Sequence, residues 1–110
     1  MRELSAERRR ALEILCRSYR EQLPERLRQI EAALEAYESG DRSRGDGLYR
    51  LVHTLAGSAA IYGFDGVSRR VLALERAILR RLNDPGRDAA PLRPLLDAVR
   101  MEIAATASGA

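Results

Sequence analysis

The chain has 110 residues, the scale of one domain with a modest core. With one cysteine, one phenylalanine and no tryptophan, it forms no internal disulfide, and Leu, Ile, Val and Ala must fill its interior. Its 19 basic residues are all arginine, set against 16 acids, and the net +3 is interleaved rather than gathered in a basic stripe, which argues against a nucleic-acid surface. The opening MRELSAERRR has no apolar run behind its charges, so it is not expected to be a secretory leader. No stretch approaches the roughly 20 apolar residues of a membrane span, and a cytoplasmic protein is expected.

Leu4, Leu12, Leu15, Cys16 and Tyr19 recur at helical spacing behind Ser5, a candidate N-cap, with Glu7 in the first turn. They predict a short first helix in which Cys16 is buried filler. Leu23, Leu27, Ile30, Leu34 and Tyr37 stripe a second helix, and Pro24 either starts it or kinks one continuous with the first. SGDRSRGDG at 39–47 reads as a loop. A third helix runs from about Leu48 to Tyr62 and stops at Gly63, and an FDG turn follows. Val67, Val71, Leu74, Ile78 and Leu82 mark a fourth helix, NDPGRDAAP at 83–91 a break, and Leu92, Leu95, Leu96, Val99 and Ile103 a last helix. Residues 104–110 read as a frayed tail. These elements predict one all-α domain over 1–110: an up-down four-helix bundle with a short extra N-terminal helix and a core spanning about 10–105.

The third helix carries the only histidine, His53. At about 100° per residue, Leu48, Leu51, Val52, Leu55, Ala59 and Tyr62 share one arc, and His53 points away from it. Ala56, Gly57 and Ala60, beside the imidazole, are too small to cover it. A solitary imidazole in such a clearing suits chemistry on the surface of a protein partner.

These residues resemble a histidine phosphotransfer (HPt) domain, the relay module of two-component signalling. The family motif, His-x-Leu-Lys-Gly-Ser with a glycine about five residues later, reads here as HTLAGS at 53–58 followed by AAIYG ending at Gly63. LPERL at 23–27 and LALE at 72–75 are similar to the family in type and spacing, and the likeness covers roughly residues 10–105. The resemblance implies that the distal nitrogen of His53 takes a phosphoryl group from a receiver-domain aspartyl phosphate and passes it to another receiver. It implies no cofactor on this chain and a Mg²⁺ ion on the receiver. Receiver domains, and in some settings a hybrid sensor kinase, would be the partners, with no nucleic acid or membrane and a monomeric carrier. Met1 favours a free-standing protein.

Gly57 lies one turn beyond His53, where any side chain would obstruct a partner. Ser58 turns toward the core edge. The expected docking face is Tyr49, Arg50, Ala56, Gly57, Ala60 and Ile61. One departure from the motif stands out: Ala56 replaces the usual lysine, whose side chain would lean back over the phosphohistidine. Arg50 leans the other way, which leaves Arg69 and Arg70 as candidate phosphate neighbours. Ala56 also feeds an alternative, a degenerate module that binds a receiver or kinase without transferring phosphate. An independent enzyme is disfavoured, because the spacing suggests no metal cluster, acid pair or nucleotide loop.

Overall fold

A computed structural model describes residues 5–84, 86 and 91–107. Leu4, residues 85 and 87–90 of the expected break, and 108–110 of the expected tail lie outside the described residues. The described residues form α1 (Ala6–Glu38), a 3₁₀ turn (Arg42–Arg44), α2 (Gly45–Ile61), α3 (Asp65–Asn83) and α4 (Arg93–Ala107), with no strand among them. Each helix packs on its neighbour in sequence and α4 closes against α1, which is the expected bundle.

The extra N-terminal helix is not a separate element. Ser5 caps α1, its hydroxyl accepting from the Arg8 backbone N–H at 3.1 Å, and the helix runs unbroken through Pro24. An internal proline costs about 3 kcal/mol. Leu23 and Leu27 on either side of it are buried, each contributing about 1.5–3 kcal/mol, so burial of the flanks outweighs the lost hydrogen bond.

Leu12 and Leu15 continue the same stripe but stay exposed, at 47% and 53%, and Cys16 is only half-buried. Helix length explains this departure from the sequence expectation. At 1.5 Å per residue α1 is about 50 Å long and α2 about 25 Å, so the first turns of α1 run past the end of α2. The bundle closes where Tyr19 stacks on Tyr62, with ring centroids 4.5 Å apart, and the Cys16 thiol donates to the Tyr62 carbonyl at 3.7 Å.

The predicted 39–47 loop is shorter than expected because α2 starts at Gly45. The Asp41 carboxylate gathers the Ser43 hydroxyl and the Arg44 guanidinium, and these hydrogen bonds lower its pKa. Gly45 lets α2 begin hard against its neighbours: a Cβ there would sit 2.6 Å from Leu82 Cδ2 and 3.3 Å from Tyr37 Cε1. At the other end Gly63, at φ +82°, closes α2 in a Schellman motif, with Gly63 N–H bonded to Ala60 O at 3.1 Å and Phe64 N–H to Ala59 O at 2.8 Å. The expected FDG turn is therefore brief, since Asp65 already belongs to α3. Residues 104–107, expected to fray, are the last turn of α4. The core is apolar throughout: Leu23, Ile30 and Leu34 meet Leu48, Val52 and Leu55, then Val71, Leu74 and Ile78, then Leu96 and Val99. No helix among the described residues is long and apolar enough to cross a membrane.

Candidate functional site

The α2–α3 seam sets the site. Val52, Leu55, Ala56 and Ala59 are buried, which turns His53 outward from the middle of α2. The Ser68 hydroxyl of α3 donates to the Ala56 carbonyl at 2.9 Å and fixes the register of the two helices. About two turns further along α3, this register delivers Glu75 to the imidazole: Glu75 Oε1 lies 2.9 Å from His53 Nδ1. The histidine side chain is 64% exposed, the glutamate only 12%. Tyr49, one turn before His53, stacks on the ring with centroids 5.6 Å apart and planes 17° from parallel.

This arrangement selects a tautomer. An ionised carboxylate only accepts, so the hydrogen bond requires the proton on Nδ1. The neutral imidazole then carries its lone pair on Nε2, at the opposite edge of an exposed ring. Glu75 and Tyr49 together hold that edge in one orientation. An oriented nucleophile with a nearly buried counter-charge behind it is equipped to take and release an electrophilic group at Nε2.

Around the ring the surface is open. Gly57, Ala60 and Arg50 are exposed, Tyr49 is half-buried, and Ile61 is 82% exposed. A Cβ added at Gly57 would meet nothing within 4 Å, so internal packing gives no reason for glycine there. Ala56 departs from its expected place on the docking face. It lies about 60° around the helix from His53, on the side where α3 closes over it, and is buried. Ser58 turns inward as expected, its hydroxyl 2.6 Å from Tyr19 OH and 3.3 Å from the Leu55 carbonyl. Burial raises the Tyr19 pKa, and the Ser58 hydrogen bond and nearby Arg26 only partly oppose it.

The two candidate phosphate neighbours are not brought to the imidazole. Arg70 faces α4, where its Nε lies 3.7 Å from Glu102 Oε1, and Arg69 is exposed with no contact to His53 among the described residues. The charged α3 side chain that does reach His53 is a carboxylate. Sequence periodicity did not single out Glu75, because its partner is 22 residues away on another helix. The available signal was the LALE segment at 72–75, where a lone acid borders an apolar stripe.

No curated protein and no solved structure gives a significant match to the chain. A family model described as the Hpt domain matches residues 14–109, which takes in most of α1, all of α2, α3 and α4, and the His53 site. With a lone, oriented histidine on the second helix of an all-α bundle, the chain belongs to the Hpt domain family and has a phosphotransfer role in phosphorelay signalling.

Proposed function

We propose that His53 is the phosphoacceptor of a relay carrier that shuttles phosphate between receiver domains, one of which can belong to a hybrid sensor kinase. The Nε2 lone pair attacks the phosphorus of an aspartyl phosphate. An N–P bond forms as the P–O bond to the aspartate breaks, and the aspartate leaves as a carboxylate. The ring becomes an imidazolium whose Nδ1 proton stays hydrogen-bonded to Glu75. A second receiver's aspartate then attacks the same phosphorus, the N–P bond breaks, and the electron pair returns to Nε2.

The observation that carries this reading is the 2.9 Å contact between Glu75 and His53 Nδ1, which fixes the nucleophile and offsets the charge it acquires. Phosphoryl transfer depends on positioning and charge stabilisation, so a carrier of this kind needs little else. Mg²⁺ on the receiver neutralises the phosphoryl oxygens, and no cofactor or nucleotide is asked of this chain. Arg50, Gly57, Ala60 and Ile61, with Tyr49 at the edge, form the docking face. The exposed Ile61 is accounted for once a partner covers it. The carrier acts as a cytoplasmic monomer.

Ala56 favours a second reading, a receiver-binding module that has lost transfer. The two are separated by offering phosphorylated receiver domains and Mg²⁺ to the wild type and to His53→Gln. Label moving to the wild type alone supports the carrier. Binding of receivers without transfer supports the docking module, and label on His53→Gln removes His53 from the reaction.

A further inference from the structure

Between α1 and the first part of α2 runs a cavity of about 530 Å³. Its floor includes Ala33 of α1 and Leu51 and Leu55 of α2, its rim is Arg26, Arg44 and Arg50, and no acidic residue lines it. Arg44 is already held by Asp41, Nε to Oδ2 at 3.0 Å. Arg26 and Arg50 make no ion pair among the described residues.

Arg26 is restrained nonetheless. Its guanidinium lies 5.3 Å from the Tyr19 ring centroid and donates to Gln22 Oε1 at 3.2 Å. Its Nε–H is buried and finds no acceptor. A buried donor without an acceptor is costly, but this atom is closed to solvent and out of a ligand's reach; Arg26 bears on the groove as part of its lining. Guanidinium groups match carboxylate and phosphate oxygens, and the leucine floor matches hydrocarbon.

We infer that this groove binds a small organic anion, its carboxylate or phosphate group held between Arg26 and Arg50 and its aliphatic or aromatic body lying along Leu51 and Leu55. The volume falls in the range of about 300–1,000 Å³ typical of small-molecule sites. The inference does not depend on the relay reading. It has a consequence for it, because Arg50 and Thr54, which bracket His53 in sequence, both line the cavity, and an occupant lies beside the phosphoacceptor.

The test is titration of the full chain with 8-anilinonaphthalene-1-sulfonate, read by fluorescence and by ¹H–¹⁵N amide shifts. N-phenyl-1-naphthylamine supplies the body without the charge, and inorganic phosphate the anion without the body. Saturable binding of the sulfonate is expected, with shifts at Ala33, Gly47 and Leu51. Both comparison ligands should bind more weakly by about tenfold or more, and Arg26→Gln with Arg50→Gln should lower sulfonate affinity by about the same factor. Arg50→Gln alone, at an exposed position, serves if the double variant loses helicity. Equal binding of the uncharged dye would reduce the site to an apolar patch, and equal binding of phosphate to an adventitious ion only. Shifts confined to the exposed Leu12–Leu15 turn, undiminished affinity in the variants, or no sulfonate binding would each overturn the inference.

Discussion

Glu75 Oε1 and His53 Nδ1, 2.9 Å apart, join the middle of α3 to the middle of α2 at the one point where a nearly buried carboxylate meets an exposed imidazole. The pairing does for reactivity what packing alone could not: it decides which ring nitrogen is free.

Glu75→Gln separates orientation from charge. The amide oxygen can still accept the Nδ1 proton but no longer offsets the imidazolium. A charge-assisted hydrogen bond is stronger than a neutral one by about 1 kcal/mol, so transfer to His53 should slow about five- to tenfold. Glu75→Ala, which also frees the ring to rotate, should slow it further. Single-turnover transfer rates from one phosphorylated receiver give the comparison, with circular dichroism to verify the fold. Equal rates in all three proteins would deny Glu75 any part in the chemistry.

Gly57→Ala should make the protein more stable and the relay slower. A mid-helix glycine costs about 0.5–1 kcal/mol relative to alanine, and the added methyl meets nothing in this chain. The urea midpoint should therefore rise while transfer falls, and Gly57→Arg should nearly abolish transfer without unfolding the helix. A stabilised variant with undiminished transfer would mean that the clearing beside His53 is not a docking requirement.

Much of the fold and the centre of the site were legible in the sequence. The stripes of α2, α3 and α4 were readable because each is a run of Leu, Val and Ile at one period, and burial follows period. His53 stood out because it was alone. Leu12 and Leu15 misled, since a stripe records which face of a helix is apolar and not where the neighbouring helices end. Pro24 was undecidable locally, because burial of Leu23 and Leu27 against other helices settles it. Ala56 and Glu75 were obscured for one reason: both depend on how α3 lies against α2, and that register is set in part by the Ser68 hydrogen bond to the Ala56 backbone, which no side-chain pattern reveals.

Stability should fall in alkali through Tyr19. Burial raises its pKa above the ordinary value of 10.0, so the native state keeps the phenolic proton when the unfolded chain has lost it. The native state then binds more protons, and the stabilisation, complete below the unfolded value, declines as pH rises from there through the folded value. Tyr19→Phe should flatten this decline. At neutral pH it should cost about 1 kcal/mol, because the Ser58 hydroxyl loses its 2.6 Å partner. Urea midpoints at neutral and strongly alkaline pH, compared between the two proteins, test the sign. Parallel pH profiles would remove Tyr19 as the cause.

Ala56→Lys asks what the missing lysine has done to the site. Ala56 is buried, yet its helix position borders the exposed imidazole, so a lysine stem can follow the α2–α3 seam and release its ammonium to solvent near Nε2. The cost should be modest, about 1 kcal/mol of overpacking against α3. In return the added cation faces a phosphoryl group on an imidazole that is paired with the Glu75 carboxylate. The variant should hold a larger phosphorylated fraction at equilibrium with a phosphorylated receiver, measured by phosphate-affinity gel shift. If the fraction does not change while the wild type transfers readily, Glu75 and the receiver's metal supply the charge balance without a lysine. If the wild type transfers nothing and Ala56→Lys transfers well, the alanine has turned a carrier into a docking module.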